Sequence, residues 1–450
     1  MRKKISHDSR GFCIESYESK IEGNSMYQYG RIRAQQDNNV DQGMLQVTVL
    51  NSDNNRPVEN ARVRISYSGD PDSVVEEVRT DSSGQTPVLN LAAPPIEYSM
   101  EPVEQQPYAE YTVQIDAEGY EPKEVAGSEI LPEVVSRQPA NLRPEPFPAD
   151  SFQRIVIPPH TLFGNYPPKI EEAEIKPIDE SGEIVLRKVV IPEYVVVHDG
   201  PVGDNAADNY YVRYRDYIKN VASSEIYATW PDDTIRANVL AIMSFTLNRV
   251  YTEWYRNKGY DFTITSSTAY DHKWIQGRNI FESISRIVDE LFENYLSRPN
   301  VRQPILTQYC DGQQVQCRDR GWMTQWGSKN LGDRGYSPIE ILRYYYGNDM
   351  YINVAEEVSG IPSSWPGYDL DIGSTGEAVV QIQEQLNVIA EAYPALPQIG
   401  VDGIYGERTK EAVRKFQNVF GLPATGVVDY PTWYKIQEIY VGVSRIAELG

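Results

Sequence analysis

The chain has 450 residues, 40% hydrophobic and 24% charged, with a formal net charge of −22. That length predicts roughly two to four domains, each able to bury a core. The acid excess excludes nucleic acid and anionic membrane as partners, since neither gains from a negative surface. Residues 1–184 carry 17 basic and 31 acidic residues, a balance of −14, and the remainder carries −8. No run of 18 apolar residues is present, so no membrane span is expected. Met1-Arg2-Lys3-Lys4 starts basic, but no apolar stretch follows it, so a conventional signal peptide is not expected. His7, His160, His198 and His272 are scattered, with no zinc-site spacing, and no metal or cofactor is expected. Cys310 and Cys317 enclose a polar loop and are close enough in the chain for a disulfide, whereas Cys13 stands alone.

In chain order, residues 1–42 are polar and weakly periodic, a leader or loose arm. Alternation then sets in at Leu45–Leu50, Ala61–Tyr67 and Tyr111–Asp116, broken by turn residues at Asn51–Arg56 and Thr80–Thr86. Short strands at this spacing predict a β-sandwich over 43–128. Residues 129–193 are proline-rich and aperiodic, and read as a linker. Over 194–358 the pattern is mixed. Ile235, Val239, Ile242, Met243, Leu247, Val250 and Trp254 predict a buried helix over 232–258, and Phe281, Ile284, Val288, Leu291 and Tyr295 a second over 279–296. Ser337-Pro338-Ile339-Glu340 is a capping box that starts a third. After a connector at 360–367, residues 369–440 open with two helical patterns, 377–393 and 407–420, the latter stopped by Gly421.

Three segments resemble known families. Pro57 to Val63, Thr80-Asp81, Tyr111-Thr112-Val113 and Gly119-Tyr120 resemble the carboxypeptidase regulatory-like, transthyretin-like domain, which implies a structural or masking module without catalytic residues. Val401-Asp402-Gly403, Tyr405-Gly406, Thr409, Ala412-Val413, Phe416-Gln417 and Gly421-Leu422, continued by Thr425-Gly426, Asp429 and Thr432-Trp433, resemble a small helical peptidoglycan-binding domain. Most of those positions keep the fold. Wall binding is expected of exposed polar and aromatic residues, with Tyr405, Arg408 and Trp433 as candidates.

Tyr217 to Ile226, Trp230-Pro231, Trp322 to Gly327 and Tyr344 to Tyr346 resemble a SpoIID/LytB-type α+β domain. The resemblance implies action on peptidoglycan glycan strands with Glu225 as catalytic acid. Two departures stand out. The stretch 263–274 has His272 but no cysteine for a metal cluster, and Asp319 to Trp322 replaces the glycine- and histidine-rich approach to Met323-Thr324-Gln325. Lytic transglycosylation needs one well-placed carboxyl, because the sugar's own 6-hydroxyl attacks the anomeric carbon. Apolar Val221, Ala222 and Ile226 beside Glu225 would raise its pKa and suit it to this. His272, Gln325 and Tyr346 are candidates for holding substrate, and each has an ordinary core or capping alternative.

The order of these parts, nearly end to end, resembles germination-specific spore cortex-lytic enzyme precursors of the SleC type. That implies a zymogen acting on spore cortex peptidoglycan, located in the cortex or coat region. A subtilisin-like germination protease would activate it by cutting near Ile184-Val185. Three rivals stay open: a non-catalytic amidase enhancer, an N-acetylmuramoyl-L-alanine amidase and a structural coat protein.

Overall fold

A computed structural model describes residues 40–70, 72–148, 151–176, 188–315, 317, 321–360 and 363–444. Most of the expected leader, and both Ile184 and Val185, lie outside the described residues.

The N-terminal unit comprises β1 (Asp41–Asn51), β2 (Arg62–Tyr67), β3 (Val74–Arg79), β4 (Leu89–Ala93), the one-turn helix α1 (Glu97–Met100), β5 (Ala109–Asp116), β6 (Lys123–Ile130), β7 (Val135–Leu142) and β8 (Gln153–Val156). One sheet runs β3-β2-β5-β6-β8, and the other contains β7-β1-β4. Alternation along β1 buries Leu45, Val47 and Val49 against Val63, Ile65, Val113 and Ile115 of the facing sheet. The two sheets therefore close over one core.

The sandwich extends past residue 128, into the stretch expected to be a linker. β7 pairs in parallel with β1 from Met44↔Val135 to Asn51↔Leu142. Prolines hid this strand. Pro139 costs no ladder bond on the outer side, where the next strand covers only Ser136 and Arg137. Residues 157–176 then run as an extended strap across the central domain, without regular structure.

The central domain contains β9 (Val190–Ile191), β10 (Tyr194–His198), β11 (Asn209–Arg213), α2 (Tyr214–Glu225), α3 (Asp232–Tyr251), β12 (Ile264–Thr265), β13 (Ile280–Phe281), α4 (Glu282–Leu291), β14 (Asn294–Ser297), β15 (Tyr309–Cys310), β16 (Met323–Thr324), α5 (Gln325–Asp333), α6 (Pro338–Tyr346), β17 (Tyr351–Val354) and β18 (Glu357–Val358). Helix α3 is buried on nearly every face and forms the middle of the core. It ends seven residues before the predicted 258. Thr252 turns its hydroxyl back to the Asn248 carbonyl, 2.7 Å, and Glu253 takes a left-handed φ of 45°. The second predicted helix is shortened at both ends by sheet pairing. Ile280 and Phe281 join β7, and Asn294–Ser297 join β17. Helix α6 starts on the predicted capping box, with Ser337 and Glu340 satisfying each other.

The C-terminal unit is helical: α7 (Glu377–Ala392), α8 (Glu407–Val419) and a third helix, α9 (Tyr430–Ser444), that periodicity did not reveal. It packs directly on the central domain, and their apolar residues form one continuous cluster. Phe292 meets Tyr434 edge-on at 5.0 Å. Below them, Lys219 pairs with Asp289 at 2.7 Å, and Arg215 reaches both Asp289, at 3.3 Å, and Glu438.

Candidate active site

Glu225 is the last residue of α2 and is 3% exposed. The helix stops there because Ile226 is extended and donates its N–H back to Ala222. One oxygen, Oε1, accepts the backbone N–H of Lys273 at 2.6 Å, and the other, Oε2, accepts the Tyr309 hydroxyl. The Glu225 carbonyl accepts Nε2 of Gln325 at 2.9 Å, tying the start of α5 to the end of α2. Burial pushes the carboxyl up, while the Lys169 charge and the bonds from Tyr309 and Lys273 pull it down. The balance stays raised, so the group holds its proton above the ordinary carboxylate range.

A cavity of about 60 Å³ borders Glu225, lined also by Thr161, Tyr166, Lys169, Tyr309, Asp311 and Gln325. It has room for a few waters but not for a sugar ring. Asp311 is the cavity's second carboxylate, and it is already committed: Oδ1 accepts Val315 N–H at 2.8 Å and Oδ2 accepts Gln314 N–H at 2.7 Å. The Cys310–Cys317 disulfide, formed as expected, closes the same loop. Glu225 is the lining carboxyl whose affinity for a proton burial raises.

The other candidates fall in different places. Gln325 lines the cavity. His272 does not: it is fully buried behind Tyr309, with its ring stacked on the tyrosine at 5.8 Å and Nδ1 3.1 Å from the Tyr217 hydroxyl. Burial pushes its pKa well down, and it is a neutral prop for Tyr309 rather than a substrate contact. Tyr346 is also core, its hydroxyl donating to the Gln308 carbonyl at 3.0 Å. In the C-terminal unit, the expectation of exposed aromatic residues is corrected. Tyr405 is 0% exposed and bonds the Gly426 carbonyl at 2.9 Å, and Trp433 is 1% exposed and bonds the Ser363 carbonyl at 3.2 Å. Both hold the fold, whereas Arg408 is exposed. Sequence reasoning missed Tyr309, the Lys273 amide and Lys169. Tyr309 adjoins Cys310, but nothing in its neighbourhood signals a bond to a residue 84 positions earlier. Among the described residues, no group of three or more His, Cys, Asp or Glu is placed to hold a metal.

Comparison with known proteins first defines the class of the C-terminal unit. Residues 375–436 match the family model described as "Putative peptidoglycan binding domain". The chain therefore carries a C-terminal peptidoglycan-binding domain, which supports a cell-wall-related function. A particular relative is the zinc D-Ala-D-Ala carboxypeptidase of Streptomyces albus G, 39% identical over 77 residues. That match covers 17% of this chain and 28% of the relative, so the chain spans little more than a quarter of that protein's length. Among solved structures, the minor pilin GBS52 of Streptococcus agalactiae aligns over 24% of this chain and 47% of its own, at 15% identity and a TM-score of 0.17. The 3-chlorocatechol 1,2-dioxygenase of Rhodococcus opacus 1CP aligns over 25% and 63%, at 12% identity and the same score. Scores this low carry no argument about the fold.

Proposed function

We propose that the protein is the zymogen of a lytic transglycosylase that cleaves glycan strands of spore cortex peptidoglycan during germination. In this reading it resides in the spore's cortex or coat region. A subtilisin-like germination protease activates it by cutting near Ile184-Val185. The observation that supports this best is Glu225: a buried carboxyl whose pKa burial raises, with Tyr309 and the Lys273 amide fixing its two oxygens.

One such group suffices for the reaction. The Glu225 carboxyl gives its proton to the glycosidic oxygen as the bond to the anomeric carbon breaks. The 6-hydroxyl of the same sugar then bonds that carbon, and its proton passes back to the Glu225 carboxylate. No water is consumed, so no second carboxylate is required to activate one, in keeping with the commitment of Asp311 to its loop. The C-terminal domain supplies attachment to the wall.

The test is digestion of cortex peptidoglycan with chain severed within residues 177–187 and freed of its N-terminal part, followed by mass spectrometry of the soluble products. Anhydro-muramoyl ends are expected, and Glu225→Gln is expected to lower their release by about 10²- to 10⁴-fold. Reducing ends would mean hydrolysis instead, and free stem peptides an amidase. Wall binding without any release would leave the enhancer.

A further inference from the structure

The proposed cleavage region follows directly on the strap, and the strap lies on Glu225. We propose that residues 157–176 are a plug that closes a glycan cleft over Glu225, and that severing the chain within 177–187 lets their cut end swing away. This deepens the glycan-cleaving reading and rests on it.

Part of the cavity wall at Glu225 is strap: Thr161, Gly164, Tyr166, Pro167 and Lys169. Thr161 donates both its N–H, at 3.1 Å, and its hydroxyl, at 3.0 Å, to the carbonyl of Ser224, next to the catalytic residue. Lys169 donates to the Asp271 carbonyl and lies over the Phe245 and Tyr309 rings at 5.1 and 5.2 Å. A cation is thus stationed beside the carboxyl. Strap carbonyls also occupy amide donors of the central domain. Gln314 Nε2 reaches the Leu162 and Phe163 carbonyls at 3.3 and 3.4 Å, and Gln308 Nε2 reaches the Glu172 carbonyl at 2.7 Å. Side-chain amides of this kind bind the hydroxyls and acetamido groups of a sugar chain. The emptied cleft would present them beside Tyr309 and Gln325.

The site is complete without the strap. The hydrogen bonds to Glu225 come from Tyr309, Lys273 and Gln325, all within the central domain. Asp271 keeps Arg249, Tyr255 and Thr265 as donors, each at 2.7 Å. Arg249 would lose Glu172 but keep Asp271 and the Tyr270 carbonyl. Glu172 and Lys176 pair with each other and leave as a neutral couple. Near the cut end the attachment is largely polar: Glu174 to Arg298 at 2.7 and 2.8 Å, Ile170 N–H to Ala269, and Lys176 to Gln303, whereas Leu162 and Phe163 pack on the core nearer the sandwich. Held between β8 and β9, such a segment stays seated through an effective concentration on the order of millimolar. Severing one end leaves only the tether at β8, so the strap can peel back from its cut end.

The experiment uses the full chain with a site-specific protease sequence placed within 177–187. Glu225 is modified with a water-soluble carbodiimide and an amine, and the label is read by peptide mass mapping. Three samples are compared: uncut chain, cut chain, and cut chain washed in about 1 M salt, where the screening length is about 3 Å. Labelling is expected to rise about tenfold or more from the first sample to the last, as the cut end of the strap swings off Glu225 while β8 still holds its other end to the sandwich. Lys169→Glu is expected to raise it in the uncut chain, and Lys169→Arg to leave it low. Equal labelling of uncut and washed chain would overturn the plug. So would protection of Glu225 that persists after limited proteolysis has trimmed the strap's cut end from the washed protein. Because labelling needs no catalysis, an exposed Glu225 that cleaves no glycan would refute the transglycosylase reading and leave the plug standing.

Discussion

At Glu225 burial and hydrogen bonding oppose each other, and that opposition would set the pH behaviour of the proposed reaction. Burial raises the carboxyl, while Tyr309 and the Lys273 amide favour its charged form. Acid catalysis needs the proton in place, so cleavage is expected to fall as pH rises through the Glu225 pKa of the severed enzyme, where departure of the strap lessens both the burial that raises it and the Lys169 charge that lowers it. Replacing Tyr309 with Phe removes a bond to the charged form, so that falling limb should move to higher pH. A kcat/KM profile of the severed enzyme on cortex glycan checks this, and a limb that stays put or moves down would contradict the assigned role of Tyr309. Glu225 itself was picked out as a candidate through the resemblance of its segment to a SpoIID/LytB-type motif, which is local: apolar neighbours, then Trp230-Pro231 and a helix. Its partner was not, since Tyr309 arrives through tertiary pairing of β15 with β16. Tyr405 misled for a related reason. Ile404 is 55% exposed and Tyr405 fully buried, the reverse of what their polarity suggests, because the tyrosine hydroxyl finds a carbonyl inside.

Among the elements, the loop between β15 and β16 bears most directly on the site. Asp311 folds the loop back by accepting two of its N–H groups, and the disulfide closes it. Loop-closure entropy for so short a ring is worth about 2.5 kcal/mol. Cys310→Ser with Cys317→Ser should therefore lower denaturant stability by about that much, without changing the helical content. Asp311 and Gln314 line the cavity, so cleavage should fall as well. Unchanged stability would mean that Asp311 alone holds the loop. Elements with one strong local signal were readable in advance, such as the Ser337 capping box and the alternation of β1. Elements made by pairing were not. β7 contains Pro139 and read as linker, and β13 and β14 read as helix ends until their sheet partners claimed them. Helix α9 went unread because its apolar residues pack on the central domain as well as on α7, which blurs a single-faced pattern.

Across the whole molecule, the expected division into sandwich, central domain and peptidoglycan-binding domain rested on periodicity and on motif resemblance, neither of which shows how the parts are docked. The junction between sandwich and central domain contains a fully buried ion pair, Arg278 with Glu129, at 0% and 1% side-chain exposure. Asn279 brackets Glu129 from both sides, accepting its N–H at 3.1 Å and donating to its carbonyl at 2.8 Å. β13 extends the sandwich's sheet beside it. Neither Glu129 nor Arg278 stands out in the sequence, since a lone charge beside apolar residues reads as an ordinary surface position. Removing one partner strands the other in a medium that cannot solvate it, so Glu129→Ala should cost about 3–5 kcal/mol. Exchanging both for apolar residues, Glu129→Leu with Arg278→Met, should recover most of that loss, because the desolvation penalty disappears with the charges. The unfolding of full chain in urea distinguishes the cases. If the single and double replacements are equally damaging, the pair acts mainly by orienting the two units. If the double variant is restored, apolar packing and the β7–β13 pairing carry the docking. In that event, the sandwich of the severed protein would be held by contacts that ionic strength barely touches, and the ion-paired strap would swing out in salt on its tether to β8 rather than leave the molecule.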